Sequence, residues 1–336
     1  MRYFFVFEQI FTPNPEAEKP TPIRPRKGVI IGVGQVGMAC AYSLLIQDCF
    51  DELILQDVAK EKVEGEVMDL LHGMPFLPPT ELKGGTVADE GKDADIVIIT
   101  AGAAQKPGET RLDLVGKNVN IFRHILEDVV KYCPNSILLI VSNPVDIMTY
   151  VTLKITGFSS SRVMGSGTVL DTARLRSLIG KKLNIDSRSV HAYIMGEHGD
   201  SEFPVWSMAN IGGAKIIPET WDSLSQNDKD ELDSLFNQVR NAAYEIIKLK
   251  GYTSYAIGLA VTDIVKAIIR SQERILTVST LINGLYGIQD ICLSIPTVVN
   301  ERGVLKTVNL SLNETEKNQL LNSAKVLQEV YEQLQL

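Results

Sequence analysis

His198 lies in Gly196-Glu197-His198-Gly199-Asp200 and is one of four histidines in 336 residues, with His72, His124 and His191. Imidazole titrates near neutrality, which makes His198 a candidate proton donor and acceptor. A histidine taken alone is more often structural. Asp171 and Arg174, in Leu170-Asp171-Thr172-Ala173-Arg174, change that reading. Spaced i, i+3, they share one helix face. The carboxylate can fix the imidazole tautomer and stabilise its protonated form. The guanidinium can hold a ligand carboxylate through two parallel hydrogen bonds. Arg111 closes the loop Ala104-Gln105-Lys106-Pro107-Gly108-Glu109-Thr110-Arg111. Its Gly and Pro among charged residues suit an ordered lid that closes over a ligand and excludes water, bringing a cation to a carbonyl. A surface ion pair and a solvated turn are the plain alternatives for these two features. Taken together, the residues suit hydride transfer to a small 2-keto acid or from a 2-hydroxy acid.

Such a reaction needs a hydride carrier. Gly32-Val33-Gly34-Gln35-Val36-Gly37 matches G-x-G-x-x-G, directly after one apolar run and at the start of a helical pattern. Glycines there permit a tight turn and close backbone approach, so that the helix N-terminus can hold a pyrophosphate. Asp57 lies twenty positions after Gly37, at the end of the next apolar run. A carboxylate in that place accepts hydrogen bonds from ribose hydroxyls and repels a 2′-phosphate, favouring NAD over NADP.

The elements that must position these groups are legible in outline. Residues 29–33, 53–55, 96–100 and 137–141 are short apolar runs, as expected of strands buried on both faces of a parallel sheet. Helical patterns at 38–48 and 115–132 alternate with them, implying a doubly wound α/β sheet with right-handed crossovers. The alternation ends near residue 165. Beyond it we expect a helix from about Asp171, an extended stretch at 189–195, and helices at 232–247 and 255–269. Antiparallel strands at 274–281 and 288–299 and a closing helix follow. The expected organisation is an arm (1–27), a parallel Rossmann sheet (28–165) and an α+β substrate domain (166–336), with the site in the crevice between the lobes.

Composition sets the outer limits. A formal charge of −8 offers no net basic field for nucleic acid or an anionic membrane. No apolar stretch reaches the ~20 residues of a membrane span. Four scattered cysteines, without a C-x-x-C pair, read as reduced thiols of a cytoplasmic protein, and no metal site is expected. The aromatic, then proline-rich, first 25 residues carry Glu8 inside the apolar run and no cleavage signal. They read either as a free tail or as an arm packed on a neighbouring subunit.

These motifs, with Ser142-Asn143-Pro144-Val145-Asp146 and Lys250-Gly251-Tyr252-Thr253, resemble the L-lactate dehydrogenases of the lactate/malate dehydrogenase family in order and spacing, from about residue 28 to the end. The resemblance implies His198 as proton donor to pyruvate, Asp171 as its orienting partner, Arg174 as carboxylate clamp and Arg111 as loop cation. Asn143 would bind substrate or position the nicotinamide, and Thr253 would line the substrate pocket. Candidate NAD contacts are Gly32, Gly34, Val36, Gly37, Asp57 and Lys62, then Gly102, Ala103, Val141, Ser142, Asn143 and Ser166. Malate dehydrogenases share the fold and the catalytic set but would present Arg at position 105. Neutral Gln105 disfavours oxaloacetate, whose second carboxylate would be buried without a partner. Arg176 is about 200° around the helix from Arg174 and must point elsewhere. It and His191 match positions that bind fructose 1,6-bisphosphate in effector-activated bacterial members, and a homotetramer is implied.

Overall fold

The computed structural model describes residues 24–103, 111–217 and 220–334, excepting the side chains of 111–113. Six parallel strands form its centre: β1 (Lys27–Ile31), β2 (Glu52–Gln56), β3 (Glu81–Gly84), β4 (Ile96–Ile99), β5 (Ile137–Ile140) and β6 (Val163–Gly165). Their order is 3-2-1-4-5-6. The first helices make the crossovers: α1 (Gln35–Ile46), α2 (Lys60–Gly73), α3 (Arg111–Tyr132) and α4 (Val145–Thr156). Successive side chains alternate between the two faces of the sheet. Val29, Val97 and Leu138 pack with Phe122 and Leu126 of α3 and Met148 of α4. Ile30, Ile98 and Leu139 pack on the other face with Cys40 and Leu44 of α1. Both faces are buried, which explains the continuous apolar runs. Two strands carry no such signal. β3 buries only Leu82 of its four residues, and β6 is three residues long.

The second half contributes α5 (Val169–Leu183), α6 (Gln226–Lys250), α7 (Tyr255–Ile269) and α8 (Glu314–Tyr331). Its first strands are short: β7 (Val190–His191), β8 (Ile194–Met195), β9 (Phe203–Pro204), β10 (Asn210–Ile211) and β11 (Ala214–Lys215). Then come β12 (Arg274–Leu276), β13 (Ser279–Ile282), β14 (Ile291–Ser294), β15 (Thr297–Asn300) and β16 (Gly303–Thr307). Each of the two long strands expected here is in fact two strands in different sheets. β12 pairs with β15, whereas β13 and β14 extend the central sheet antiparallel, beginning at Ser279 opposite Gly165. The break falls at Thr277, whose carbonyl accepts the Thr168 amide at 3.1 Å and whose hydroxyl meets that of Thr172 at 3.1 Å. Docking against the start of α5 interrupts the ladder. The central sheet therefore has eight strands, and the second half is joined to it at the edge next to the site.

Candidate active site

His198 sits in the loop between β8 and β9. The loop base is fixed by paired backbone hydrogen bonds between Gly196 and Ser294, at 3.0 and 2.9 Å. Asp171 enters from the first turn of α5, immediately beyond the carboxyl end of β6, and is 2% exposed. Its Oδ2 lies 2.7 Å from His198 Nδ1, and its Oδ1 accepts from Arg174 Nη1 at 2.7 Å. One carboxylate thus serves both the imidazole and the guanidinium. The His198 side chain retains 28% of its exposure, so the ring borders the crevice while Asp171 stays buried.

The electrostatics follow from this geometry. Burial alone would lower the His198 pKa, but the adjacent Asp171, with help from Glu202 and Asp146, raises it to about 9. Burial works to raise the Asp171 pKa, and His198 and Arg174 overcome it, holding the carboxyl below its usual range. Glu202 is 5% exposed, and burial followed by the charge of Asp171 pushes it up to about 9. The donor atoms of Asp171, His198 and Glu202 lie within 4.8 Å of one another. Asp171 Oδ2 and His198 Nδ1 are committed to one another and Asp171 Oδ1 to Arg174, so the hydrogen-bonded chain runs from Arg174 through Asp171 to His198, with Glu202 beside it.

The glycine turn has the shape an anion site requires. Gly32 has φ +107°, and a Cβ on Gly37 would lie 1.8 Å from the Gly32 carbonyl oxygen. Gly34, by contrast, has nothing within 4 Å of its Cβ position. It caps α1, which has no side-chain cap and no acidic residue in its first turn. The positive end of the helix is therefore open to a phosphate. Asp57 follows β2, its Oδ2 accepting from Val33 N at 2.8 Å and its Oδ1 from Ala59 N at 3.1 Å. Val36 is half-buried beside the turn, and Lys62 is exposed on α2.

The remaining candidates line the carboxyl edge of the sheet. Gly102 is exposed and Ala103 half-buried after β4, Val141 and Ser142 follow β5, and Ser166 follows β6. Ser142 Oγ donates to the carbonyls of Ile99 and Ala101, at 3.1 and 2.5 Å, binding the ends of β4 and β5 together. The sequence reading missed Asn118. This buried residue on α3 accepts from Ala103 N at 2.8 Å and donates to the Asn143 carbonyl at 2.9 Å. Its signal was an asparagine between Val115, Val119 and Phe122 on the apolar face of the helix. Thr253 is half-buried in the link between α6 and α7, with no hydrogen bond to His198, Asp171 or Arg174 among the described residues. Gln105, Lys106 and Glu109 lie outside the described residues, as does the Arg111 side chain, and so does the arm through residue 23.

Arg176 turns away from Arg174. Its Nε donates to the Ala192 carbonyl at 3.0 Å and its guanidinium lies 5.1 Å from the Tyr193 ring centre. Burial lowers its pKa. His191, one residue before Ala192, is exposed on β7.

Two family models match this chain: the lactate/malate dehydrogenase NAD-binding domain over residues 26–165, and the lactate/malate dehydrogenase α/β C-terminal domain over residues 168–335. The chain belongs to the lactate/malate dehydrogenase family. A curated L-lactate dehydrogenase of Gloeobacter violaceus is 54% identical over 309 residues, 92% of this chain and 93% of that protein. L-lactate dehydrogenase 1 of Clostridium acetobutylicum is 50% identical over 300 residues, 89% of this chain and 96% of that protein. Among solved structures, the minor L-lactate dehydrogenase of Enterococcus mundtii, in a ligands-bound form, has 45% identity and a TM-score of 0.88. It covers 93% of this chain and 99% of its own. A lactate dehydrogenase from a Medee basin deep-sea metagenome has 46% identity and a TM-score of 0.87, covering 92% and 99%.

As a lactate/malate dehydrogenase, the chain is an NAD-dependent oxidoreductase. Its NAD-binding domain contains the glycine turn and Asp57, and its C-terminal domain contains Asp171, Arg174 and His198. The uncapped helix end and the open space at Gly34 fit the pyrophosphate of NAD.

Proposed function

We propose that this lactate/malate dehydrogenase is an L-lactate dehydrogenase that interconverts pyruvate and L-lactate. The observation that carries its 2-hydroxy-acid dehydrogenase chemistry is the single buried carboxylate of Asp171 shared by His198 and Arg174 at 2.7 Å each. NAD, when bound, accepts or supplies the hydride. His198 gives a proton to the developing alkoxide during reduction and takes one from the hydroxyl during oxidation. Asp171 holds the ring with Nδ1 protonated, leaving Nε2 to face substrate. Arg174, beside the ring, clamps the substrate carboxylate, and Arg111 polarises the carbonyl from the loop. Asn143 and Thr253 complete the substrate site. Gly32, Gly34, Val36, Gly37, Asp57 and Lys62 hold NAD with Gly102, Ala103, Val141, Ser142, Asn143 and Ser166.

Selection of pyruvate over oxaloacetate rests on Gln105, which supplies no cation for a second carboxylate. The curated relatives at 54% and 50% identity bear the same activity in their names. Steady-state kinetics with both keto acids tests this reading. Pyruvate should give the higher kcat/KM, and equal or better use of oxaloacetate contradicts it.

The regulatory reading is finer. Arg176 and His191 are proposed to bind the phosphates of fructose 1,6-bisphosphate where two copies meet in a homotetramer. Supporting it, Arg176 is drawn to the Ala192 carbonyl and the Tyr193 ring next to exposed His191, away from the substrate side of α5. Pyruvate saturation curves should shift in apparent KM or sigmoidality with the sugar bisphosphate, and sedimentation should give the tetramer mass. Identical curves and an unchanged thermal midpoint refute effector binding. Among the described residues no helix is long and apolar enough to cross a membrane, and the four cysteines are free and buried. Residence in the cytoplasm is proposed on that basis.

A further inference from the structure

We propose that Asp146 is a positioning residue that fixes the backbone of His198, so that catalysis depends on its oxygen as a hydrogen-bond acceptor held between two halves of the fold. Asp146 lies in the first turn of α4, in the NAD-binding domain, and is 1% exposed. Its Oδ2 accepts from His198 N at 2.7 Å, 52 residues away, and its Oδ1 accepts from Ser279 Oγ at 2.6 Å, 133 residues away. Its own backbone is held as well, because Tyr331 Oη donates to the carbonyls of Asp146 and Cys292, at 3.4 and 3.3 Å. Four elements thus converge on one residue: α4 carries it, β13 and the catalytic loop meet its carboxylate, and α8 braces its main-chain carbonyl. Asp171 fixes only the ring of His198. The main-chain anchor on which that ring swings is Asp146.

A fully buried carboxylate is costly, and here the cost is offset by two hydrogen bonds at once. Burial raises the Asp146 pKa to about 6, so the group is an anion through most of the neutral range. The groups around the pair are Asp171 and Arg174 from α5, Glu197 and Glu202 from the loop, Cys292 from β14 and Tyr331 from α8. The charge of Asp146 adds to that of Asp171 in raising the His198 pKa. Two functions can therefore be separated. Asn at position 146 keeps an acceptor for His198 N and a polar partner for Ser279, but removes the charge. Ala and Ser remove the reach.

This inference rests on His198 as the proton-handling residue, and one of its readouts needs no substrate. The test compares Asp146→Asn, Asp146→Ala and Asp146→Ser with the native chain. Amide hydrogen exchange is followed at His198, with pyruvate kinetics and NADH binding. In Asp146→Ala and Asp146→Ser the His198 amide should exchange ~10-fold faster or more. Their kcat should fall ~10²-fold, with NADH Kd and pyruvate KM near native, since Arg174 and the glycine turn are untouched. Asp146→Asn should recover protection and most of kcat. Its reduction rate should decline at a pH ~0.5 lower than native, because a charge that favours the protonated ring is gone. If Ala does not fold, Ser and Asn carry the comparison. The proposal is overturned if Ala or Ser keeps both amide protection and kcat, or if Asn loses as much as they do. Failure of the native chain to reduce pyruvate would sink the L-lactate reading alone. The exchange measurement would still decide the role of Asp146.

Discussion

Asp171 Oδ2 lies 2.7 Å from His198 Nδ1, and the same carboxylate receives Arg174 at 2.7 Å through its other oxygen. The relationship fixes proton donor and carboxylate clamp relative to one another. Neither can shift without straining the other. Asp171→Asn is expected to reduce kcat by ~10³-fold or more, because an amide can hold the wrong imidazole tautomer and no longer stabilises imidazolium. The His198 titration midpoint should fall below its native value. Stopped-flow reduction of pyruvate and histidine NMR check both parts.

Arg174→Lys separates charge from geometry. Lysine can still neutralise Asp171, but it is a point charge without the planar fork. We expect kcat/KM for pyruvate to fall ~10²–10³-fold, mostly through KM, with NADH affinity nearly native. A variant within ~3-fold of native would mean that Arg174 serves only as the structural partner of Asp171.

The pH dependence has a definite sign. His198 is raised to about 9, so the ring is protonated across the neutral range in the ligand-free protein. Reduction consumes that proton, and its kcat/KM should stay level below about pH 9 and decline above it. Oxidation of L-lactate needs the neutral ring and should rise over the same interval. Profiles measured in both directions with one buffer series give the test, and a shared midpoint near 6.5 would contradict the strength of the Asp171–His198 coupling.

Much of this arrangement was legible in the sequence, and the exceptions have physical causes. The four long strands buried on both faces announced themselves as apolar runs. β3 and β6 did not, since one buries a single side chain and the other spans three residues. Asp171 and Arg174 were paired by helical spacing, which is local information. The contacts of Asp146 were invisible, because its partners His198 and Ser279 lie 52 and 133 residues away. No periodicity encodes such a distance. The merger of β13 and β14 into the central sheet was hidden for the same reason, depending on how Thr277 meets the start of α5.

Asn118 offers a test of how the cofactor edge is built. It supplies the one side-chain link between Ala103 N and the Asn143 carbonyl among the described residues. Asn118→Leu would leave a donor and an acceptor without partners, costing ~1–3 kcal/mol for each group that stays buried. We expect a lower thermal midpoint together with a raised KM for NADH. An unchanged KM for NADH would confine Asn118 to folding.

Asp57 should decide between the two nicotinamide cofactors. Asp57→Ala removes the carboxylate expected to accept from the adenosine ribose and to repel a 2′-phosphate. The preference for NADH over NADPH, taken as a ratio of kcat/KM values, should fall by ~10-fold or more. An unaltered ratio would place cofactor selection elsewhere.

The most direct test of the central claim is turnover of pyruvate by His198→Asn, measured beside NADH binding by fluorescence titration. Asparagine retains a polar side chain in the loop but cannot donate and recover a proton near neutral pH. NADH Kd should match the native protein while kcat falls ~10³-fold or more. A variant that binds NADH normally and keeps more than about a tenth of native kcat would contradict His198 as the group that carries the proton.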